Sequence, residues 1–407
     1  MKKFFKNLFQ SFASNIITLL FPLVTIPFII GRLGVLEYGR IVIAQAVVAI
    51  CLILIEFGSL SLLSSIFSKT HSRKKKLRFF CVSIVLRLVT FFIITLLLIV
   101  YVNTFSGDFI LFYFIPMLIA EVINPTSICL SLERARLLLI GTVIGRTLSL
   151  VLIFTLLSLT NKTEYVAIAL SLGLLSTYLF VLLVVFNENY ELINKGRFNG
   201  SRYYKILSLL AYRSIGFTLL RFTNVLKDKS IIFVISMFLG AAPVAIYDIA
   251  AKVVNILNIP IFNFSNYLLI WKRKVPNPEI FVKLMFGGAL LVLGVVAAAV
   301  MLISDIYKFF EVSISESYVL AVSIFWASII VTYISSVVGN YYLLGLGRNK
   351  SFIWTSYVST LFLALILSYI ILIDGEVSFL KIIFASILTS LFEMILRLYL
   401  LRPRWSN

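Results

Sequence analysis

Twelve long apolar runs, separated by short polar breaks, organise the chain. They fall at roughly 10–31, 41–63, 79–102, 109–131, 137–159, 165–186, 212–238, 244–269, 281–303, 318–343, 352–373 and 378–400. Each is near or above the ~20 residues that a helix needs to cross the hydrocarbon of a bilayer. The runs are continuous, whereas barrel strands alternate over ~10-residue segments. The pattern therefore predicts an all-α integral membrane protein of about twelve transmembrane helices. The longest connection, about 187–210, is polar and carries Gly196 and Gly200 at the middle of the chain. It predicts an N-terminal lobe over 1–190, a cytoplasmic linker over 191–210 and a C-terminal lobe over 211–407, with six spans in each lobe.

Composition strengthens this reading. Of 407 residues, 61% are hydrophobic and 13% charged, against ~45–50% and ~25% in soluble domains. Little of the chain is left to lie outside the bilayer. Cys51, Cys81 and Cys129 sit in or beside apolar runs without metal-ligand spacing, and His71 lies in a basic loop. They read as small buried hydrophobes and a loop residue, with no metal site. Lys2, Lys3 and Lys6 precede an apolar run that continues to about Ile30 with no small-residue cleavage site, so the start reads as an uncleaved first span.

The net charge of +19, from 36 Lys+Arg against 17 Asp+Glu, changes the picture most. No soluble domain exists to present a basic face to nucleic acid, so topology is the better use for the charge. With the N-terminus cytoplasmic, 24 cations fall in cytoplasmic segments, the largest group being Lys69, Arg73, Lys74, Lys75, Lys76 and Arg78. Arg397, with Arg402 and Arg404, is also among the 24. Only Arg32, Arg40, Lys162, Lys308 and Lys381 fall on the other face. This asymmetry obeys the positive-inside rule and places both termini in the cytoplasm. Seven cations remain within spans: Arg87, Arg146, Arg213, Arg221, Lys227, Lys229 and Lys252.

A short internal repeat supports two halves. Leu33-Gly34 leads into Ala44-Gln45, and Leu239-Gly240 leads into Ala250-Ala251, both at an offset of 206 residues. Six spans per repeat gives parallel halves about an axis along the membrane normal.

The seventh span is the most informative. At about 100° per residue, with Arg213 at 0°, Arg221 falls at about 80°, Asp228 at about 60° and Lys227 at about −40°, while Lys229 lies off the face at about 160°. Each charge at the bilayer centre costs roughly 2.5–3.5 kcal/mol, so this face should look into protein or water, with Asp228 offsetting part of the charge. The alternative is a cytoplasmic basic helix over 201–229 and a span only at 230–249. Asp248 and Lys252 are spaced to pair at i,i+4; Lys252 otherwise faces the pore. Arg146 lies near mid-depth of the fifth span, which favours an interior role, whereas Arg87 is nearer an end and can snorkel.

Asn15, Thr18, Pro22 and Thr25, with Ser11, follow steps of 4, 3, 4 and 3 and form one polar stripe on the first span, suited either to a bending gate helix or to helix packing. Glu56 and Glu121 could titrate with a coupled proton or pair with a cation, and Asp228 and Asp248 are candidates of the same kind. No Walker loop or nucleophile pair appears, so no catalytic residue is expected.

Several motifs resemble polysaccharide-unit flippases. Pro22, Pro27, Gly31, Arg32, Leu33 and Gly34, with Tyr38, Gly39, Ala44 and Gln45, look like their first two spans. Glu56, Phe57 and Gly58 resemble the acidic-Phe-Gly end of their second, and Leu239, Gly240, Tyr247, Ala250 and Lys252 the start of their eighth. Glu56 stands where Asp is usual, and Ala245 where Gly is usual. These are the O-antigen (Wzx-type) exporters of the multidrug/oligosaccharidyl-lipid/polysaccharide superfamily. The resemblance implies a MATE-like fold of two six-helix lobes with a central cationic cavity, in the bacterial inner membrane. It implies as substrate an oligosaccharide on undecaprenyl pyrophosphate. Arg146, Arg213, Arg221, Lys227 and Lys252 are then the substrate-binding cations, with Arg32 at the outer mouth. No cofactor is expected, though proton or sodium coupling is open. Membrane lipid, a polysaccharide polymerase and chain-length proteins are candidate partners, and nucleic acid is not. The rival readings are a multidrug cation exporter of the same superfamily, the lipid II flippase, and a membrane polymerase or ligase.

Overall fold

The computed structural model describes residues 2–70, 72–106, 109–190, 200–271, 278–339 and 349–400. Lys2–Leu33 forms α1, Val35–Glu56 α2, Ser59–Lys69 α3, Arg73–Tyr101 α4, Ile115–Val122 α5, Thr126–Ser131 α6, Ala135–Leu159 α7 and Thr163–Glu188 α8. Gly200–Leu239 forms α9, Ala241–Trp271 α10, Pro278–Met301 α11, Ile303–Phe309 α12, Glu316–Ser336 α13, Asn349–Tyr369 α14 and Phe379–Tyr399 α15.

Among the described residues, eight helices are long and apolar enough to cross a membrane, and nine if the pair Phe286–Met301 and Ile303–Phe309, bent by 62°, is one span. The other spans expected from sequence correspond to α1, α9 and α10, helices of 32, 40 and 31 residues. Charges in the middle of α9 keep its hydropathy down.

Three spans are less regular than the hydropathy suggests. The second does not run on to 63: α2 stops at Glu56, Phe57 and Gly58 take left-handed backbone (φ 49° and 60°), and α3 restarts at Ser59. A Cβ at Gly58 would meet Ser214 O and Thr218 N of α9 at 2.7 Å, so this break is also a close helix contact. The fourth span is assembled from a 3-10 turn at Phe109–Phe114, then α5 and α6, with Asn124-Pro125 between the last two. The ninth carries the 62° bend.

Gly34 and Gly240, the two corners of the repeat, have φ of 85° and 89°. A Cβ at either would meet nothing within 4 Å. Glycine is therefore needed there for its backbone and not for space. Helix α9 runs unbroken to that second corner, as the seventh-span reading requires.

The chain divides into two compact units, Met1–Leu33 with Ala44–Val225, and Gly34–Ile43 with Leu226–Asn407. The sequence places the division across 191–210, of which 191–199 lie outside the described residues; contacts place it inside α9. The reason is local. Leu210 joins the core of Leu63, Phe67, Phe80, Ile128 and Val181 in the first unit, and Gly58 seats the next turns of α9. Conversely, the first turns of α2 belong to the second unit, because Gly39 lies so close to Ala241 that a Cβ would overlap the Ala241 carbonyl.

In the first unit α7 packs on α8 through small residues. A Cβ on Gly145 would overlap Thr177 Oγ1 and Gly173 O, and one on Gly173 would overlap Ser149 Oγ, as expected where helix backbones approach closely. Helix α1 lies along α7, with the Phe28 and Phe154 rings 4.2 Å apart. In the second unit α13 packs against α10, α11 and α15. Its Trp326 is fully buried and donates to Ala250 O (3.2 Å). Cys51 and Cys129 are buried and Cys81 half-buried, all as free thiols. The outward face of α4, with Phe92, Leu96 and Leu97 each more than half exposed, is as apolar as the core, which suits a lipid-facing helix.

Candidate functional site

The first unit holds a buried polar network at the α2–α3 break. Glu56 is 4% exposed. Its Oε2 accepts from Arg221 Nη1 of α9, and its Oε1 accepts from the Leu60 backbone N–H at 3.3 Å. Ser59 donates to Glu56 O (2.6 Å) and accepts from Arg87 Nε at 2.7 Å. Arg87 is fully buried. Its Nη1 donates to Asn124 O at 3.0 Å and to Glu121 O at 3.4 Å. The Asn124 amide in turn donates to both Glu121 carboxylate oxygens, at 3.0 and 3.2 Å. Two cations and two carboxylates thus interlock α2, α3, α4, α5 and α9. The snorkelling expectation for Arg87 is overturned. The α2–α3 break and the loop after α5 turn backbone and hydroxyl acceptors inward, and the guanidinium follows them.

The second unit holds two clusters. In one, Asp248 Oδ2 accepts from Tyr38 Oη and from Lys252 Nζ, and Lys252 also donates to Tyr38 Oη at 2.9 Å. Lys252 is thus the paired cation of the i,i+4 reading. In the other, Glu393 Oε2 accepts from Lys227 Nζ (2.6 Å) and Ser359 Oγ (3.2 Å), and Glu393 Oε1 accepts from Arg397 Nη2. Arg397 Nη1 donates to Ser335 O and Oγ at 3.0 and 2.9 Å, and its guanidinium lies 4.7 Å from the Phe352 ring centroid. Sequence reasoning put Arg397 among the cytoplasmic cations and passed over Glu393. The signal was available, because Glu393 and Arg397 have the same i,i+4 spacing as Asp248 and Lys252.

The shared face of α9 is thereby resolved into separate partners. Arg221 pairs with Glu56 and Lys227 with Glu393, while Arg213 is exposed. Asp228 is exposed and forms no direct ion pair among the described residues; it acts on Lys227 and Lys229 at longer range, while Glu56 and Glu393 are the direct partners. Arg146 is half-buried at mid-length of α7, 4.9 Å from the Phe21 ring centroid. No carboxylate among the described residues pairs with it. Arg32 is exposed beside Phe28 (5.8 Å). On α1, Thr25 is buried and donates to Phe21 O at 3.1 Å, Thr18 and Pro22 are half-buried, and the Asn15 side chain lies outside the described residues.

A family model described as "Polysaccharide biosynthesis protein" matches residues 4–267, well over half of the chain. The chain belongs to that family. No curated protein matches it. Among solved structures, it is similar to an inward-facing multidrug resistance MATE family transporter of the MOP superfamily, with a TM-score of 0.74, 14% identity, and 97% of this chain and 98% of that one covered. An outward-facing structure of such a transporter gives 0.69 at 15% identity, covering 100% and 96%. A MOP superfamily transporter from Pyrococcus furiosus Vc1, described as having a binding pocket of reverse polarity, gives 0.66 at 13% identity, covering 100% and 96%. At these identities the likeness shows the fold. This member of the family is a multi-pass membrane protein with a MATE-like fold.

Proposed function

We propose that the protein is a flippase that carries an oligosaccharide unit on undecaprenyl pyrophosphate, an O-antigen or capsule repeat unit, from the cytoplasmic to the periplasmic leaflet by alternating access. Arg146 carries this reading. It is a guanidinium at mid-length of a spanning helix, beside an aromatic ring and with no carboxylate partner among the described residues. Such a charge costs roughly 2.5–3.5 kcal/mol at the bilayer centre. A diphosphate head group supplies the missing anion, and a guanidinium binds phosphate through paired hydrogen bonds. Membership of a polysaccharide biosynthesis family supports a sugar-bearing cargo. A cationic drug is disfavoured by the same charge.

In this reading Arg32, Arg213, Arg221, Lys227 and Lys252 lie along the substrate's path, and Glu56, Glu121, Asp228 and Asp248 are the candidate groups for coupling to a proton or sodium ion. The protein works in a bacterial inner membrane with both termini cytoplasmic, alongside a polymerase and chain-length proteins. It makes and breaks no covalent bond. The test is export of surface polysaccharide in a host lacking its own flippase. Arg146→Ala is expected to lower export by about tenfold or more, as loss of a charge-assisted phosphate contact implies, with the protein still present in the membrane. Arg146→Lys is expected to restore part of it. Full export by Arg146→Ala overturns the proposal.

A further inference from the structure

The cluster around Glu393 has an odd charge count. One carboxylate directly bonds two cations, Lys227 and Arg397, and the neighbouring Asp228 is shared between Lys227 and Lys229. The group therefore keeps one cation in excess inside a membrane-spanning unit where uncompensated charge is costly. An ion pair that only held helices together would need one cation. The three donors converge on the two carboxylate oxygens as they would on two oxygens of a phosphoryl group: an ammonium and a hydroxyl on Oε2, a guanidinium on Oε1. The donors are also unequally fixed. Arg397 is 7% exposed and tied to Ser335 and the Phe352 ring. Lys227 keeps 20% of its side chain exposed, and among the described residues Glu393 is the carboxylate it bonds directly, with Asp228 acting on it at longer range.

Building on the flippase reading, we propose that Lys227, Ser359 and Arg397 form a phosphoryl-binding site occupied in this structure by the chain's own Glu393, and that the diphosphate of the lipid-linked substrate takes Lys227 from that carboxylate. Glu393 is then a tethered competitor. It keeps the cations neutralised while the carrier is empty, and it reclaims Lys227 to expel the diphosphate. It sets affinity through Lys227, and so is a positioning residue.

The test measures binding to the full chain in lipid nanodiscs, with undecaprenyl pyrophosphate, inorganic pyrophosphate and undecaprenol as probes, alongside export in cells. If the pair is closed about nine-tenths of the time, removing the competitor tightens binding about tenfold. Glu393→Gln is therefore expected to bind undecaprenyl pyrophosphate about tenfold more tightly and yet export less, a combination that a merely structural role does not produce. Lys227→Met leaves a balanced Glu393–Arg397 pair, and so a folded protein, and is expected to bind about tenfold more weakly. Glu393→Asp keeps the charge and should stay near wild type.

Unchanged or weaker binding by Glu393→Gln in a folded protein overturns the tethered competitor, and unchanged binding by Lys227→Met overturns the site. Either result leaves the flippase reading standing if the wild type still prefers undecaprenyl pyrophosphate to undecaprenol. No such preference in the wild type overturns both. Binding of inorganic pyrophosphate with exclusion of the lipid form assigns the cluster to a free ion and also overturns the proposal.

Discussion

Arg87 allows a quantitative test of how the first unit is held together. Its side chain is fully buried, and three of its hydrogen bonds end on different segments: Ser59 Oγ at 2.7 Å, Asn124 O at 3.0 Å and Glu121 O at 3.4 Å. The Glu121 carboxylate, itself buried, accepts from the side-chain amide of the same Asn124 whose backbone carbonyl accepts from Arg87. Arg87→Met keeps most of the aliphatic stem and its packing while losing the guanidinium. It removes the stronger of the two cations acting on the buried Glu121 carboxylate and leaves it the influence of Arg221, which is already paired with Glu56. Breaking a buried charge arrangement by deleting one member costs about 3–5 kcal/mol, whereas replacing both members is often close to neutral. The expected loss for Arg87→Met is therefore about 3 kcal/mol. Arg87→Met with Glu121→Gln should recover at least about half of it, because Gln can still accept from Asn124. Reversible unfolding of the purified protein in mixed detergent, analysed as a double-mutant cycle, measures the coupling. A loss under about 1 kcal/mol for the single variant, or a double variant no more stable than the single, would refute the argument that this arginine serves the fold by balancing Glu121.

Other outcomes follow from the same geometry. Gly58→Ala should destabilise more than Gly34→Ala in the same assay. Both replace a left-handed glycine at about 1 kcal/mol, but only the Gly58 Cβ collides with the backbone of α9, at 2.7 Å. Equal losses would mean that α9 yields freely. Gly145→Val should push α7 from α8, because the new atoms overlap Thr177 and the Gly173 carbonyl; a cost of about 1–3 kcal/mol would appear as a lower melting temperature. Tyr38→Phe removes the hydroxyl shared by Asp248 and Lys252 and should cost about 1.5–3 kcal/mol, as for a hydrogen bond to a charged group. No change in melting would show that the hydroxyl is dispensable.

The spans and the repeat were legible because both are written in single residues read in order. Hydropathy marks length, and Gly34 and Gly240 mark corners that only glycine adopts easily. The charges were less legible because their meaning lies in depth and partner. Arg221 and Glu56 are 165 residues apart, and Lys227 and Glu393 are 166 apart. No local pattern links such pairs, and a helical projection of α9 groups Arg221 with Lys227 although their partners differ. Arg87 was misread for a related reason. Distance from a helix end suggests snorkelling, but a neighbouring helix that breaks at Phe57-Gly58 brings acceptors to the guanidinium instead. Glu393 and Arg397 were hidden by position, near the end of the last span, where basic residues are usually topological.

The guanidinium of Arg146, without a carboxylate partner among the described residues, is also a charge in an electric field. A unit charge that moves from one side of the permeability barrier to the other feels about 2.3 kcal/mol for every 100 mV across the membrane. A carrier whose mid-depth cation changes the side it faces is therefore voltage-sensitive when empty. Once an anion neutralises that cation, the same movement is electrically quiet, and any charge left over on the cargo sets the sign of what remains. On the flippase reading, membrane voltage would act differently on the outward and return halves of the transport cycle, because Arg146 has no carboxylate partner among the described residues.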